Sequence, residues 1–410
     1  MGKNLFFSKP EDVVDHISKD EALARLFEAW QPQRKTETVE LAESCGRVLA
    51  EDLYALYNIP VVRASGMDGI AFNYDLVANK SDSSGWRIGR EYVRADTGDD
   101  FDDAYDTVVK IEDVTFTADG GVSFVHDLEI RRGMNVRGEG SMIKKGSPVA
   151  KKDTVLTAAD LAAIGMGGYD KVEVAVKPRV GFLPTGSELV PLGSELKRGQ
   201  NFETNSIMVS QLLREMGAEP VIYPLVKDDI DDMKKTFDKM IEESDIVVIN
   251  AGSSKGSEDF GRQFVENRGK FLFHSVLAAP GRPLGMAIVK GKPVINMPGP
   301  ALAAFYVSEW ALKAAVGRFL RVKPQERETI EAVLTAKLGM PPFMSLMKKL
   351  NITEKDGTYY AEPVERDQAS AAASITAAGM YITSYGEKGY EKGDKIKVQL
   401  IRGRETIDER

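Results

Sequence analysis

The feature that most constrains this chain is a change of hydrophobic period after Lys177, where short apolar runs begin to alternate with segments of helical spacing. Residues 179–183, 221–226, 246–249, 271–276 and 294–297 have the length and β-branched content of buried strands. A helix is expected over 206–216, with Thr204 or Asn205 as N-cap and Gly217 just beyond its end, and a charged helix over 229–243. Pro298-Gly-Pro300 opens another, running to about Leu320, with Pro300 at its first position. The alternation predicts a doubly wound parallel α/β domain over 177–322. Ligands of such sheets sit at the carboxyl ends of the strands.

One of those ends carries the most distinctive loop. The apolar run 246–249 gives way to Gly252, Ser253, Ser254, Lys255, Gly256, Ser257, Glu258 and Asp259. The glycines let backbone approach a ligand without Cβ interference, and Ser254, Lys255 and Ser257 can hold an anion. Two carboxylates beside an anion call for a bridging hard cation, so phosphate with Mg²⁺ is the economical reading, against an ordinary surface turn. The spacing of a Walker A loop is absent.

Thr185-Gly186-Ser187-Glu188 ends a second strand at the same sheet edge, so two oxygen-rich loops are expected to converge on one ligand. Asp228 follows a third strand and is a metal-ligand candidate or a helix cap. Arg282, between Pro280 and Pro283, offers a forked donor suited to phosphate, and Pro298 and Gly299 precede a helix N-terminus that can bind an anion. Asp68, in Ser65-Gly-Met-Asp-Gly, and Thr97, in Asp-Thr-Gly98, read as turns when judged alone.

The flanks differ in texture. Residues 10–30 read as an amphipathic helix and 39–56 as a second helical stretch, while 86–130 alternates as a small β-rich insert. After Lys323-Pro324, four short apolar segments suggest a C-terminal β-barrel or sandwich. The expected division is 1–58 with 136–176 as a discontinuous N-terminal domain, 59–135 as the β-rich domain, 177–322 as the α/β domain and 323–410 as the barrel.

Composition narrows the function. A net charge of −8 and a pI near 5.3 argue against non-specific nucleic-acid binding. One cysteine, Cys45, and three histidines exclude internal disulfides and thiolate or multi-histidine zinc sites. With no apolar leader and no membrane-length run, a cytoplasmic location is expected.

Taken in order, these motifs resemble the molybdopterin molybdenumtransferase family, the MoeA proteins and the related C-terminal domain of gephyrin. Ser65-Gly-Met-Asp68-Gly-Ile-Ala71 is similar to the family's Ser-Ala-Met-Asp-Gly-Tyr-Ala, and Thr97-Gly98, Val108-Val-Lys-Ile-Glu112 and Asn135-Val-Arg137-Gly-Glu139 match further blocks. Thr185-Gly-Ser-Glu188-Leu, Asn205-Ser206, the 251–259 loop and Pro280-Gly-Arg-Pro283 follow in register. The resemblance implies a homodimer of four-domain subunits whose site is completed by the partner's β-rich domain. It implies cleavage of adenylylated molybdopterin with release of AMP and placement of molybdate on the pterin dithiolene, assisted by Mg²⁺. In that reading Asp259, Glu188 and Asp228 hold the metal, and Asp259, Glu188, Asp68 and Thr97 carry the catalysis. Thr185, Gly186, Gly252, Ser254, Lys255, Gly256, Ser257, Arg282, Pro298 and Gly299 bind substrate. Other molybdenum cofactor enzymes are expected partners; nucleic acid and membrane are not.

The chain also departs from the pattern. Met297-Pro-Gly-Pro-Ala-Leu-Ala303 stands where the family has Leu-Pro-Gly-Asn-Pro-Val-Ser, losing an amide and a hydroxyl, and Gly339-Met-Pro-Pro-Phe343-Met-Ser lacks two family arginines. Lys255, Lys348 and Lys349 are the candidate replacements. These differences keep open a molybdopterin-binding carrier or regulator without transfer activity, and tungstate as the oxyanion.

Overall fold

Strands covered on both faces need apolar side chains on both, and the Val, Ile and Leu runs supply them. In the computed structural model, which describes residues 17–80, 82–227, 230–251, 268–339, 341–364 and 370–409, six strands form the central sheet. Their order is Glu219–Ile222, Arg179–Thr185, Ile246–Ala251, Lys292–Pro298, Gly285–Val289, Gly269–His274. The first four run parallel. Gly285–Val289 runs antiparallel to both its neighbours, so the sheet is mixed rather than wholly parallel as the sequence suggests. The cause is local: Lys290 and Gly291, at φ 48° and 76°, form the tight turn that reverses the chain between neighbouring strands.

From Arg179–Thr185 the chain passes through the helix Asn205–Glu215 to one neighbouring strand, then returns through the helix Ile230–Glu243 to Ile246–Ala251 on the other side. Strand order therefore reverses between Arg179–Thr185 and Ile246–Ala251, which opens a crevice at their carboxyl ends. Leu183, Phe237, Met240 and Val247 are fully buried beneath it. Each such side chain contributes about 1.5–3 kcal/mol.

The N-terminus of Asn205–Glu215 is capped from outside the expected positions: Thr204 makes no side-chain cap, and the Glu203 carboxylate accepts from Ser206 N–H at 2.9 Å. Gly217, at φ 83°, ends this helix as expected. The helix after Pro300 begins at Ala301, making Pro300 its N-cap rather than its first residue, and continues to Leu320 through one π turn, Ser308–Leu312.

At the C-terminus, Ser345–Lys355 pairs with Thr358–Pro363 and Gly379–Ile382, while Lys395–Leu400 joins Gly379–Ile382 to Thr329–Leu334, which in turn meets Thr358–Pro363. Five strands thus close into a barrel around Leu350, Ala361 and Val398. The first residues of Ser345–Lys355 also pair with Ala278–Ala279 of the α/β domain. The helix Lys19–Ala29, capped by Ser18, donates from Arg25 to Leu272 O at 3.0 Å.

The chain separates into two compact units, Thr36–Ala175 and the remainder. Within Thr36–Ala175 the helix expected over 39–56 does not form. Thr36–Glu40 pairs with Lys171–Ala175 and Leu53–Tyr54 with Pro148–Ala150, joined through a 3-10 turn and isolated bridges. Leu49 and Leu53, four apart, mimic a helical stripe but enter one core with Leu156, Ile164, Val172 and Val174. The expected β-rich segment holds a three-stranded sheet, Tyr92–Ala95, Gly69–Phe72 and Thr107–Lys110, whose Phe72 packs on Trp86 with ring centroids 5.1 Å apart.

Candidate functional site

The crevice at the strand reversal is a cavity of about 310 Å³ lined by Thr185, Glu188, Phe202, Glu203, Asn205, Asn250 and Gly299 among others. Three strand or helix ends build it. Gly186 turns the chain at φ +149°, and a Cβ there would meet Glu188 Oε2 at 2.9 Å, so glycine is what lets the Glu188 carboxylate fold back over the strand end. Thr185, 2% exposed, donates from Oγ1 to Asn250 O at 3.1 Å and ties the two central strands together.

Two buried amides form the floor. Asn250 Nδ2 donates to Met297 O at 3.3 Å and Pro298 O at 2.9 Å, and Asn205 Nδ2 donates to Asn250 Oδ1 at 2.9 Å and Gly299 O at 2.6 Å. The loop from Met297 to Gly299 is thereby fastened from both the strand end and the helix N-terminus. Asn250 is 2% and Asn205 7% exposed, so these are hydrogen bonds in a dry setting, where leaving a group unmade is expensive. With Glu203 and Glu188, the donor set facing the cavity is oxygen and amide throughout. Such a set suits a hard cation and an anionic ligand, not a soft metal.

Of the residues singled out in the sequence, Thr185, Glu188 and Gly299 line this cavity, Gly186 is the turn between the first two, and the Pro298 carbonyl is in the latch. Arg282 lies in the turn joining Gly269–His274 to Gly285–Val289, at the same sheet edge because Gly285 pairs with Asn296, but it is not among the residues lining the cavity. Asp228, Gly252, Ser254, Lys255, Gly256, Ser257 and Asp259 lie outside the described residues. Lys349 is no replacement for a ligand-binding arginine: it is 4% exposed, with its Nζ over the Phe305 ring 5.0 Å from the centroid. Among the described residues no group of three or more metal-ligating side chains occurs.

Asp68 and Thr97 belong to the Thr36–Ala175 unit, and there they meet. Asp68 Oδ1 accepts from Thr97 N–H at 2.6 Å, and that bond, with a further one from the Thr97 side chain, lowers the Asp68 pKa below its ordinary value. Both are exposed. Gly98 N–H donates to Ser65 O at 2.9 Å and Ser65 N–H to Asp99 O at 2.8 Å, so two motifs distant in sequence share one turn.

Glu203, Asn205 and Asn250 as site-forming groups escaped the sequence reading, as did Phe202. The available signal was Asn250 itself, a lone amide closing an apolar strand run, where burial demands partners.

The chain is similar to known proteins over most of its length. Residues 17–168 match the MoeA N-terminal region (domain I and II), and 182–318 match a probable molybdopterin binding domain. The chain is 29% identical over 407 residues to the molybdopterin molybdenumtransferase of Bacillus subtilis, covering 94% of each, and 30% identical over 306 residues to that of Haemophilus influenzae, covering 71% of this chain and 75% of the relative. The crystal structure of the molybdopterin biosynthesis MoeA protein from Pyrococcus horikoshii has the same fold, with a TM-score of 0.77 at 23% identity over 95% of this chain and all of that one. This chain belongs to the molybdopterin molybdenumtransferase family, transferases of molybdenum cofactor biosynthesis.

Proposed function

We propose that the chain inserts molybdate into adenylylated molybdopterin, with Mg²⁺ assistance and release of AMP, as a cytoplasmic homodimer. The observation that carries this reading is the cavity at the strand reversal, which pairs a carboxylate, Glu188, with a helix N-terminus and the fastened Met297 to Gly299 loop. The dithiolene brings its own sulfurs, so the protein need supply only oxygen ligands and a place for negative charge, and the cavity is bordered by carboxylates and a helix N-terminus.

Glu188 is the described residue that would hold the metal, with Asp259 and Asp228 as its companions from the sequence. Bound Mg²⁺ would neutralise the phosphates of the anhydride. The chain's own groups do the rest. The N-terminus of Asn205–Glu215 favours negative charge beside it, and the Met297 to Gly299 loop, held by Asn205 and Asn250, fixes the wall against which the ligand rests. Asp68, kept ionised by Thr97, is an acceptor for a proton or a ligand donor. Among the described residues no helix is long and apolar enough to cross a membrane.

The test is direct. Purified protein incubated with adenylylated molybdopterin, Mg²⁺ and molybdate should release AMP and take up molybdenum in step; pterin binding with neither event would show a carrier instead. Light scattering should give twice the 45.0 kDa chain mass.

A further inference from the structure

The two-amide latch has a defined orientation, and that orientation leaves one atom over. Met297 O, Pro298 O and Gly299 O are carbonyls that can only accept, so the atoms facing them must be the NH₂ groups of Asn250 and Asn205. Both hydrogens of Asn250 Nδ2 are then used, and its Oδ1 accepts from Asn205. Both hydrogens of Asn205 Nδ2 are used as well. Asn205 Oδ1 accepts no hydrogen bond among the described residues, and it is not sealed from solvent as the orphaned atoms of Ser206 and Lys349 are. Asn205 lines the cavity.

An amide free to rotate can serve a ligand donor or acceptor equally. This one cannot rotate without breaking two bonds and facing an oxygen toward Gly299 O. It can offer the cavity only an acceptor. Phosphoanhydride and molybdate oxygens carry no hydrogen for it at neutral pH, whereas the amino-pyrimidinone edge of a pterin carries the 2-amino group and N3–H. We propose that Asn205 Oδ1 accepts from the 2-amino group of this edge and that Asn250, by locking the amide, is the positioning residue that makes the reading selective. The latch also fastens the loop that carries Pro300 where the family pattern has an amide. The proposal rests on the cavity being the pterin site.

The experiment uses the intact wild-type protein and two fluorescent probes, a 6-hydroxymethylpterin phosphate and its lumazine counterpart, in which the 2-amino group is replaced by oxygen. Wild type should bind the pterin on the order of tenfold or more tightly than the lumazine, since a site built for a hydrogen-bond donor rejects its analogue. Asn205→Ala should bind both probes within about twofold, and Asn250→Ser, which frees the amide, should lose most of the preference. Equal binding of the two probes by wild type overturns the acceptor role while leaving the pterin site standing. A preference that survives in Asn205→Ala overturns it as well. Failure of both probes to bind overturns the pterin assignment of the cavity, and this inference with it.

Discussion

Asp68 and Thr97, 29 residues apart, are joined by a 2.6 Å hydrogen bond from the Thr97 backbone N–H to the Asp68 carboxylate. The chief cause of the lowered Asp68 pKa is that backbone donor, which alanine at position 97 retains. Thr97→Ala should therefore keep most of the depression in an NMR titration. A group whose pKa is lowered on folding contributes stability above its unfolded value, near 3.8, and loses it as pH falls through the lower folded value. Asp68→Asn should remove that acid-limb contribution, leave the fold intact and slow AMP release on the order of tenfold or more.

Glu188 is placed by Gly186. Glu188→Gln keeps the size and removes the charge, and should slow AMP release on the order of 100-fold with little change in melting temperature. Gly186→Ala, which places a Cβ 2.9 Å from the carboxylate at φ +149°, should lower both activity and stability. Normal activity in either variant would take Glu188 out of the reaction.

Asn250→Leu leaves Met297 O and Pro298 O without their donor in a dry setting and should destabilise the α/β domain by about 2–4 kcal/mol. Urea denaturation followed by fluorescence measures it. A loss below about 0.5 kcal/mol would mean that other groups hold the loop.

Lys349 is pushed down to about 8, first by burial and then by the charge of Arg327. Between that value and the unfolded 10.5 the unfolded chain binds the extra proton, so stability rises with pH across this window and is lowest below it. Lys349→Met should stabilise the protein at pH 7 by on the order of 2 kcal/mol and abolish the rise between pH 8 and 10.5, read from urea midpoints.

The sheet was legible where local chemistry decided it. Val247 and Val248 are buried on both faces, and Gly217 stops its helix by backbone freedom alone. What the sequence concealed depends on distant partners. Leu49 and Leu53 are spaced like a helix, yet the strands that pair with their neighbourhood lie around residues 148 and 171. Ser345–Lys355 carries Lys348 and Lys349 side by side, and only the packing of this strand against the helix of Phe305 shows that Lys349 is buried. That Thr185 and Glu188 line the cavity is legible because a strand end with a glycine turn is a local signature. The sequence marks Asn205 only as a cap and a motif residue and gives Asn250 no role, since an amide's role lies in the carbonyls it reaches, here 94 residues from Asn205 and 47 from Asn250.

The eleven residues of Ser345–Lys355 begin on Ala278–Ala279, in the turn that carries Arg282, and continue as a stave of the barrel. A single hydrogen-bonded ribbon therefore crosses from one domain's loop into the other's wall. Deuterium entering the amides of that turn and of the first barrel residues must do so through one shared opening. The two regions will share a common protection against exchange, and a substitution that loosens the barrel will be felt in the turn of Arg282 as protection lost.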